Sequence, residues 1–329
     1  MRYFLTGATG FLGGRLAAEL VAGGHEVHAV VRTPERGDAL RRLGVTLSTG
    51  DVTDKESMRE PMRGADGVFH VAGWYKIGVR DKKAAIGTNV TGTRHVLELM
   101  RELEIPKGVY TSTLAVNSDT HGQVVDETYR FTGRHISIYD KTKAEAHRIA
   151  EDFIAQGLPL VIVQPGAIYG PGDTSAIRTT FIQFLQRKLP AIPKKSAYSW
   201  GYIDDISHGH VLAMERGHTG RNYFVCGPSH TLEYAIDLAS EITGIPAPRL
   251  RLPPGMLRAT SKVVAPFEKV LPMPPAYTAE GLRVVGGVTY LGNNERAKRE
   301  LGWTVRSLRE GLTETLRHEM TLLGMTPRF

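Results

Sequence analysis

The amino-acid sequence predicts an α/β fold: a doubly wound parallel sheet with a smaller, irregular α/β lobe towards the C-terminus. Three observations carry that expectation. Over the first half of the 329 residues, short β-branched runs alternate strictly with longer helical patterns, as in βαβ units whose sheet is covered on both faces. A glycine-spaced turn, residues 6–13, joins the first strand pattern to the first helix pattern. Beyond Pro165 the alternation gives way to dense glycine and proline, at Gly166, Gly170, Pro171, Gly172, Pro190 and Pro193.

Residues 3–6 read as a strand and 11–22 as a helix with Leu12, Leu16, Leu20 and Val21 along one face. Strand patterns follow at 26–31, 45–49 and 68–71. Residues 88–104 read as a helix turning Val96, Leu97, Met100 and Leu103 inward, 109–112 as a strand, 139–156 as a long helix and 160–164 as a strand. Then come a helix at 177–188 and a strand at 223–226 that could rejoin the sheet. The stretch 246–275 is basic and proline-rich with weak periodicity. It reads as an irregular lobe that takes its burial from Leu250, Leu252, Met256, Leu257, Val263, Val264 and Phe267. Residues 295–301 and 308–323 read as closing helices.

Composition narrows the chemistry. Lys and Arg number 41 against 34 Asp and Glu, a net charge of +7, but no dense basic stripe argues for nucleic acid. Cys226 is the single cysteine, so neither an internal disulfide nor a cysteine-rich zinc site is possible, and a reducing cytoplasm is expected. No apolar run approaches the roughly 20 residues that span a bilayer, and the apolar stretch 3–5 is too short for a signal peptide. The expected partner is therefore a small molecule rather than a membrane, a metal or a nucleic acid.

In the segment 6–13, Gly7 allows a tight turn, Gly10 lets a pyrophosphate approach the backbone, and Gly13 lets helix and strand pack closely. The following helix start points unpaired N–H groups at the phosphates, which makes Gly7, Thr9, Gly10, Phe11 and Leu12 candidate cofactor contacts. The second strand ends in Arg32, where an acidic residue would otherwise accept from the adenosine ribose. A guanidinium there suits a 2′-phosphate, and Arg36 is a second candidate, so NADP(H) is expected over NAD(H). Val71, Ala72 and Gly73 end the fourth strand with small residues, as a passing cofactor requires. On this reading residues 1–166 form a dinucleotide-binding Rossmann domain with 201–228 returning to it, and 167–200 with 229–329 form a substrate lobe.

Tyr139 and Lys143 stand at i and i+4 near the start of a helix, on one face. A free phenol, with pKa near 10, is too weak an acid for efficient transfer at neutrality, and a nearby ammonium lowers it. The fifth strand ends in the hydroxyl-rich run Thr111, Ser112 and Thr113.

The spacing Gly7-x-x-Gly10-x-x-Gly13, the pair Tyr139 and Lys143, Asn89-Val90-x-Gly92-Thr93, the segment 165–173, Tyr202-Ile203-Asp204-Asp205 and the run 298–303 together resemble the extended branch of the short-chain dehydrogenase/reductase superfamily, the NAD-dependent epimerase/dehydratase family. The resemblance implies that Tyr139 protonates a substrate carbonyl, Lys143 holds the nicotinamide ribose, and Thr113 orients the carbonyl, with Ser112 as the fallback. Thr111 then belongs to the cofactor wall. It also implies that Asp51 and Val52 border the adenine, that Pro165, Gly166, Ala167 and Ile168 line the nicotinamide, that Asn89 is structural, and that a homodimer could form through the helices at 88–104 and 139–156. Thr53 and Glu56 offer another reading of the segment after Asp51, as a capping box.

The branch contains nucleotide-sugar epimerases and dehydratases as well as reductases of dihydroflavonol-4-reductase type. Sugar-nucleotide members usually carry an arginine shortly before the Asp-Asp pair, and residues 196–202 have none. Trp74, Tyr75, Tyr169, Phe181 and Trp200 are candidate pocket residues, with Thr113 among them. They favour an aromatic or apolar ketone or aldehyde, reduced to an alcohol by NADPH. Arg178, Lys188, Lys194 and Lys195 keep the nucleotide-sugar alternative open, and a non-catalytic NADP-binding sensor is a remote third. His208 and His210 read as helix-start residues, not metal ligands.

Overall fold

A seven-stranded parallel sheet, its strands in the spatial order 46–49, 26–31, 2–6, 67–70, 108–111, 160–165 and 222–225, organises the molecule, a computed structural model that describes residues 1–78, 82–268, 273–327 and 329. The first half of the chain supplies β1 (Arg2–Thr6), α1 (Phe11–Ala22), β2 (Glu26–Val31), α2 (Asp38–Arg42), β3 (Thr46–Thr49), α3 (Lys55–Met62) and β4 (Gly67–His70). Then follow α4 (Lys83–Ala85), a π-helical run Ile86–Thr91, α5 (Gly92–Glu102), β5 (Gly108–Thr111), α6 (Ile138–Ala155) and β6 (Leu160–Pro165).

Alternation along each strand feeds two separate cores. Phe4, Val68 and Tyr110 point into a layer with Met58, Val96, Leu97, Met100, Ala146 and Phe153 of α3, α5 and α6. Their neighbours Leu5, Phe69 and Val109 point the other way, against Leu12, Leu16 and Leu20 of α1. Strand order reverses between β1 and β4, and the crevice at the carboxyl ends of those two strands is where a doubly wound sheet binds its ligand.

The second half begins with β7 (Ala167–Tyr169), α7 (Ala176–Leu185), β8 (Ile192–Pro193), β9 (Ala197–Tyr202) and α8 (Ile203–Arg216). Strand β10 (Asn222–Val225) adds to the main sheet beside β6. Beyond it lie β11 (Ser229–Thr231), α9 (Leu232–Thr243), β12 (Arg251–Leu252), α10 (Pro254–Phe267), α11 (Ala279–Val284), β13 (Thr289–Tyr290) and α12 (Leu308–Leu322). A small sheet forms around β9, which pairs with β7, β11 and β13, and β8 pairs with β12.

Three expectations need correction. The helix expected at 88–104 starts earlier, at Lys83, and passes through the π-helical run that contains Asn89. Helix α3 is capped by Asp54, which accepts from the Ser57 N–H, and not by a Thr53–Glu56 box. Thr53 is already engaged, donating through both its N–H and its hydroxyl to Asp51. The stretch read as irregular holds the 14-residue helix α10, which starts at Pro254 and buries Leu257 and Ser261. Leu250, Met256, Val263 and Phe267, expected inside, are exposed. No helix among the described residues is long and apolar enough to cross a membrane.

Candidate active site

The turn after β1 is built to receive a phosphate-bearing chain. Gly7 sits at φ +79°, and a Cβ there would lie 2.6 Å from the Ala72 nitrogen, so only glycine lets the ends of β1 and β4 approach. The Gly10 N–H closes the turn on the Gly7 carbonyl at 2.9 Å. A Cβ on Gly13 would collide with that same carbonyl. Helix α1 has no side-chain cap and no acidic residue in its first turn, which leaves its leading N–H groups to an anion. Thr9 and Gly10 are exposed beside this turn and Phe11 is half-buried, while the Leu12 side chain packs into the core. Across the crevice, Val71 and Ala72 are half-buried and Gly73 is exposed. The residues present fit a dinucleotide.

At the outer end of the crevice Arg32 is exposed, and its Nε lies 3.8 Å from an Asp51 carboxylate oxygen. The other oxygen of Asp51 receives Thr53. Val52 is buried where α5 crosses it closely at Gly92. The side chain of Arg36 lies outside the described residues.

Ser137 caps α6 by accepting from the Asp140 N–H, which fixes the first turn that carries Tyr139. Burial pushes the Tyr139 phenol up to about 12. A hydrogen bond with Thr113 opposes that shift, and the nearby Asp140 adds to it. Thr113 has an extended backbone, caps a short 3₁₀ turn and takes the Ala115 N–H on its hydroxyl. Ser112 points elsewhere, with its hydroxyl 2.8 Å from His147 Nδ1. Strand alternation therefore separates the two hydroxyls that the sequence left as alternatives, and Thr113 is the one beside the phenol.

One turn along α6, Lys143 is buried, and its Nζ donates to the Thr111 carbonyl at 2.8 Å and to the Tyr110 hydroxyl at 3.1 Å. Burial lowers its pKa to about 7, within reach of neutral pH. The Thr111 hydroxyl faces His210 at 3.0 Å. Gly166, Ala167 and Ile168 stay half-buried beyond the end of β6, and Pro165 is buried.

On the substrate side the placements divide. Trp74 is half-buried, and its backbone is clamped by Asn89, which accepts from its N–H at 2.8 Å and donates to its carbonyl at 3.0 Å. Tyr75 is exposed, its hydroxyl 2.9 Å from that of Thr174. Tyr169, Phe181 and Trp200 are not pocket residues: each is 1% exposed within the core, where Tyr169 meets Trp200 edge-on at 5.7 Å. Their aromatic character announced burial, but not which side of strands β7 and β9 and of helix α7 would be covered. Arg178 is held by Glu319 through two bonds of 2.8 and 3.0 Å. His208 and His210 lie in the middle of α8 rather than at its start. His208 pairs with Glu19, and the described residues contain no His, Cys, Asp or Glu group that could hold a metal ion.

Several groups at the site had no clear sequence signal. Asp140 is buried next to Tyr139 and receives the Ser137 hydroxyl at 2.6 Å and the Tyr290 hydroxyl at 3.0 Å; burial raises its carboxyl to about 6. Tyr290 in turn stacks on Tyr198, 6.3 Å between rings. Their meeting with Asp140 depends on how the lobe folds back onto α6, and no local spacing encodes that.

The model of the NAD dependent epimerase/dehydratase family matches residues 3–227, which include the turn, the Tyr139–Lys143 pair and the Thr113 strand end. The chain belongs to that family. A Synechocystis protein provisionally named a dihydroflavonol 4-reductase is 32% identical over 326 residues, covering 95% of this chain and 93% of its own. A Stigmatella aurantiaca protein is 31% identical over 334 residues, covering 96% of both chains. It is named 4-hydroxy-2-methyl-3-oxo-4-farnesyl-3,4-dihydroquinoline-1-oxide ketoreductase. Among solved structures, that of gox2253 superimposes with a TM-score of 0.83 at 26% identity, covering 98% of this chain and 99% of the other. As a member of the extended short-chain dehydrogenase/reductase group, the chain is an oxidoreductase that acts on CH–OH or C=O groups with a nicotinamide cofactor.

Proposed function

We propose that this family member is an NADPH-dependent carbonyl reductase, converting an aromatic or apolar ketone or aldehyde to the alcohol. The observation that carries this reading is the neighbouring hydroxyls of Tyr139 and Thr113 at the crevice, with Lys143 one helical turn away. When bound, the cofactor supplies hydride to the carbonyl carbon. The chain's own residues do the rest. Thr113 and Tyr139 both reach the carbonyl oxygen, Thr113 as the orienting donor and Tyr139 as the acid whose proton completes the alcohol. Burial keeps that phenol protonated until a substrate arrives, which is the form that reduction consumes.

Two features support the substrate class. Arg178 is engaged by Glu319, and the run before Asp204 carries no arginine, so a nucleotide diphosphate lacks its usual partner. Trp74 and Tyr75 stand on the loop after β4 and offer apolar surface. The names of two relatives, one provisionally a dihydroflavonol 4-reductase and the other a ketoreductase of a farnesyl-bearing dihydroquinoline oxide, support carbonyls of this kind. The test is NADPH oxidation with flavanonols, aromatic ketones and apolar aldehydes, beside a nucleotide-sugar panel. Turnover confined to the first set agrees with the proposal; turnover confined to sugar nucleotides overturns it.

The preference for NADPH follows from Arg32, exposed at the end of β2 where an acidic side chain would disfavour a 2′-phosphate. Asp51 steadies the guanidinium without burying it. In Arg32→Ala the affinity for NADPH should fall about tenfold or more, the worth of a charge-assisted contact, while NADH is little affected. Equal losses for both coenzymes would remove Arg32 from cofactor choice.

A further inference from the structure

Behind Lys143 runs a buried chain of polar side chains through the centre of the sheet. Thr6, His70, Thr93 and Tyr110 are each no more than 1% exposed. Its hydrogen bonds can be given directions, because the groups at its ends have no choice. While Lys143 is charged its ammonium has no lone pair, so the Tyr110 hydroxyl accepts from it at 3.1 Å and its own proton is free for the neighbouring Thr93 oxygen. Thr93 lies 2.6 Å from the Asn89 carbonyl, which can only accept, so its proton is committed there. Thr93 therefore accepts from His70 Nε2 at 3.0 Å, and the imidazole carries its proton on that nitrogen. Nδ1 is left as a lone pair for the Thr6 hydroxyl, at 2.8 Å. Thr6 finally accepts from the Ala72 N–H at 3.2 Å. All donors and acceptors in the chain are matched, with a neutral histidine at its centre. Burial, with Lys143 adding a smaller push, holds His70 at about 3, which agrees with that tautomer.

The geometry also binds rings together. His70 and Tyr110 stack with centroids 5.5 Å apart, and the Lys143 ammonium lies 4.8 Å from the centre of the Tyr110 ring. One end of the chain is the lysine at the candidate catalytic pair. The other is Thr6, which precedes Gly7 of the phosphate turn, and Ala72 across the crevice. We propose that Tyr110, fixed by Thr93 and His70, is a positioning residue that holds the Lys143 ammonium for the cofactor and ties its placement to the phosphate turn. This rests on the reading that Lys143 contacts the bound coenzyme.

The sign of its effect follows from the hydrogen bonds. Lys143 is buried with a phenol oxygen and a carbonyl as its polar neighbours. Removing the phenol oxygen leaves one N–H unpaired, which disfavours the charged amine and lets it lose its proton at lower pH. The experiment titrates the full chain with NADPH by quenching of protein fluorescence from pH 6 to pH 9, for wild type, Tyr110→Phe, Thr93→Val and His147→Gln. In the wild type, affinity should fall as pH rises through about 7, where Lys143 discharges. In Tyr110→Phe that fall should begin roughly one pH unit lower, leaving affinity about fivefold weaker at pH 7 and about tenfold weaker at pH 9, as for the loss of one hydrogen bond to a charge. Thr93→Val should move it the same way by less, and it decides the matter if Tyr110→Phe does not fold. His147→Gln removes a different buried histidine, the partner of Ser112, and should leave the profile in place. Binding by both Tyr110→Phe and Thr93→Val with the wild-type pH profile overturns the inference, as does an equal displacement in His147→Gln. Failure of the wild type to bind NADPH at any pH is a different result, and it removes the functional reading itself.

Discussion

Replacing Tyr139 by phenylalanine should lower turnover about a hundred- to ten-thousand-fold, the usual worth of a positioned general acid, and leave coenzyme affinity close to wild type. The ring and its packing remain and only the proton donor is lost, so steady-state turnover with parallel binding titrations separates the two effects. At this scale the sequence was informative where chemistry is local. Tyr139 and Lys143 are one helical turn apart, and an i, i+4 spacing needs no tertiary information to place them together. Thr113 and Ser112 could not be ranked that way, because the decision lies with His147, 35 residues away, which takes Ser112. Tyr169, Phe181 and Trp200 were misplaced for a related reason: an aromatic side chain suits both a core and an apolar pocket, and only the packing of Tyr202 and its neighbours shows which.

At the level of elements, β1, the glycine turn and α1 act as one device. A methyl group at Gly13 would press on the Gly7 carbonyl and push α1 off the turn. Gly13→Ala should therefore destabilise the fold by about 1–3 kcal/mol, as overpacking does, and weaken coenzyme binding as well. Denaturant unfolding together with binding titrations checks both, and an unchanged midpoint would show that the turn yields freely. This device was legible because glycine spacing reports a close backbone approach directly. Helix α10 was not. Pro253, Pro254 and Pro266 bracket and interrupt it, and Met256, Val263 and Phe267 face outward while Leu257 faces inward, so its apolar residues do not mark the buried side. The π-helical run at Asn89 was hidden too, since its sequence reads like ordinary helix and the wider turn accompanies an Asn89 side chain bonded to Trp74 and Thr142.

For the molecule as a whole, buried ionisable groups set the pH response. Burial holds His70 at about 3 and His210 at about 4, against 6.5 for a free histidine. Between pH 4 and 6.5 the unfolded chain binds protons that the folded one refuses, so stability rises with pH across that window. Lys143 continues the trend from about 7 to 10.5, for the same reason. Asp140, raised to about 6 from 3.8, works in the opposite direction over its own interval. His28, His135 and His230 are also lowered by burial, and Glu127, Asp173 and Glu280 are also raised by it, so the test is a difference: the denaturation midpoint should rise more steeply with pH from 4 to 6.5 in the wild type than in His210→Gln. Equal slopes in wild type and His210→Gln would mean that His210 is charged in the folded state. The parallel sheet covered on both faces followed from the alternation of strand and helix runs. The pairing of β7, β11 and β13 around β9 did not, because strands of two to six residues with mixed patterns leave their partners unspecified.

The central claim is that one crevice brings a nicotinamide ring to the hydroxyls of Tyr139 and Thr113, and a crystal structure of the protein with NADP⁺ bound tests it most directly. The account predicts the diphosphate on the Gly7–Gly10 turn, the 2′-phosphate at Arg32 and the ring against Tyr139. A ring lying away from Tyr139, or a crevice without coenzyme at saturating concentration, would contradict it.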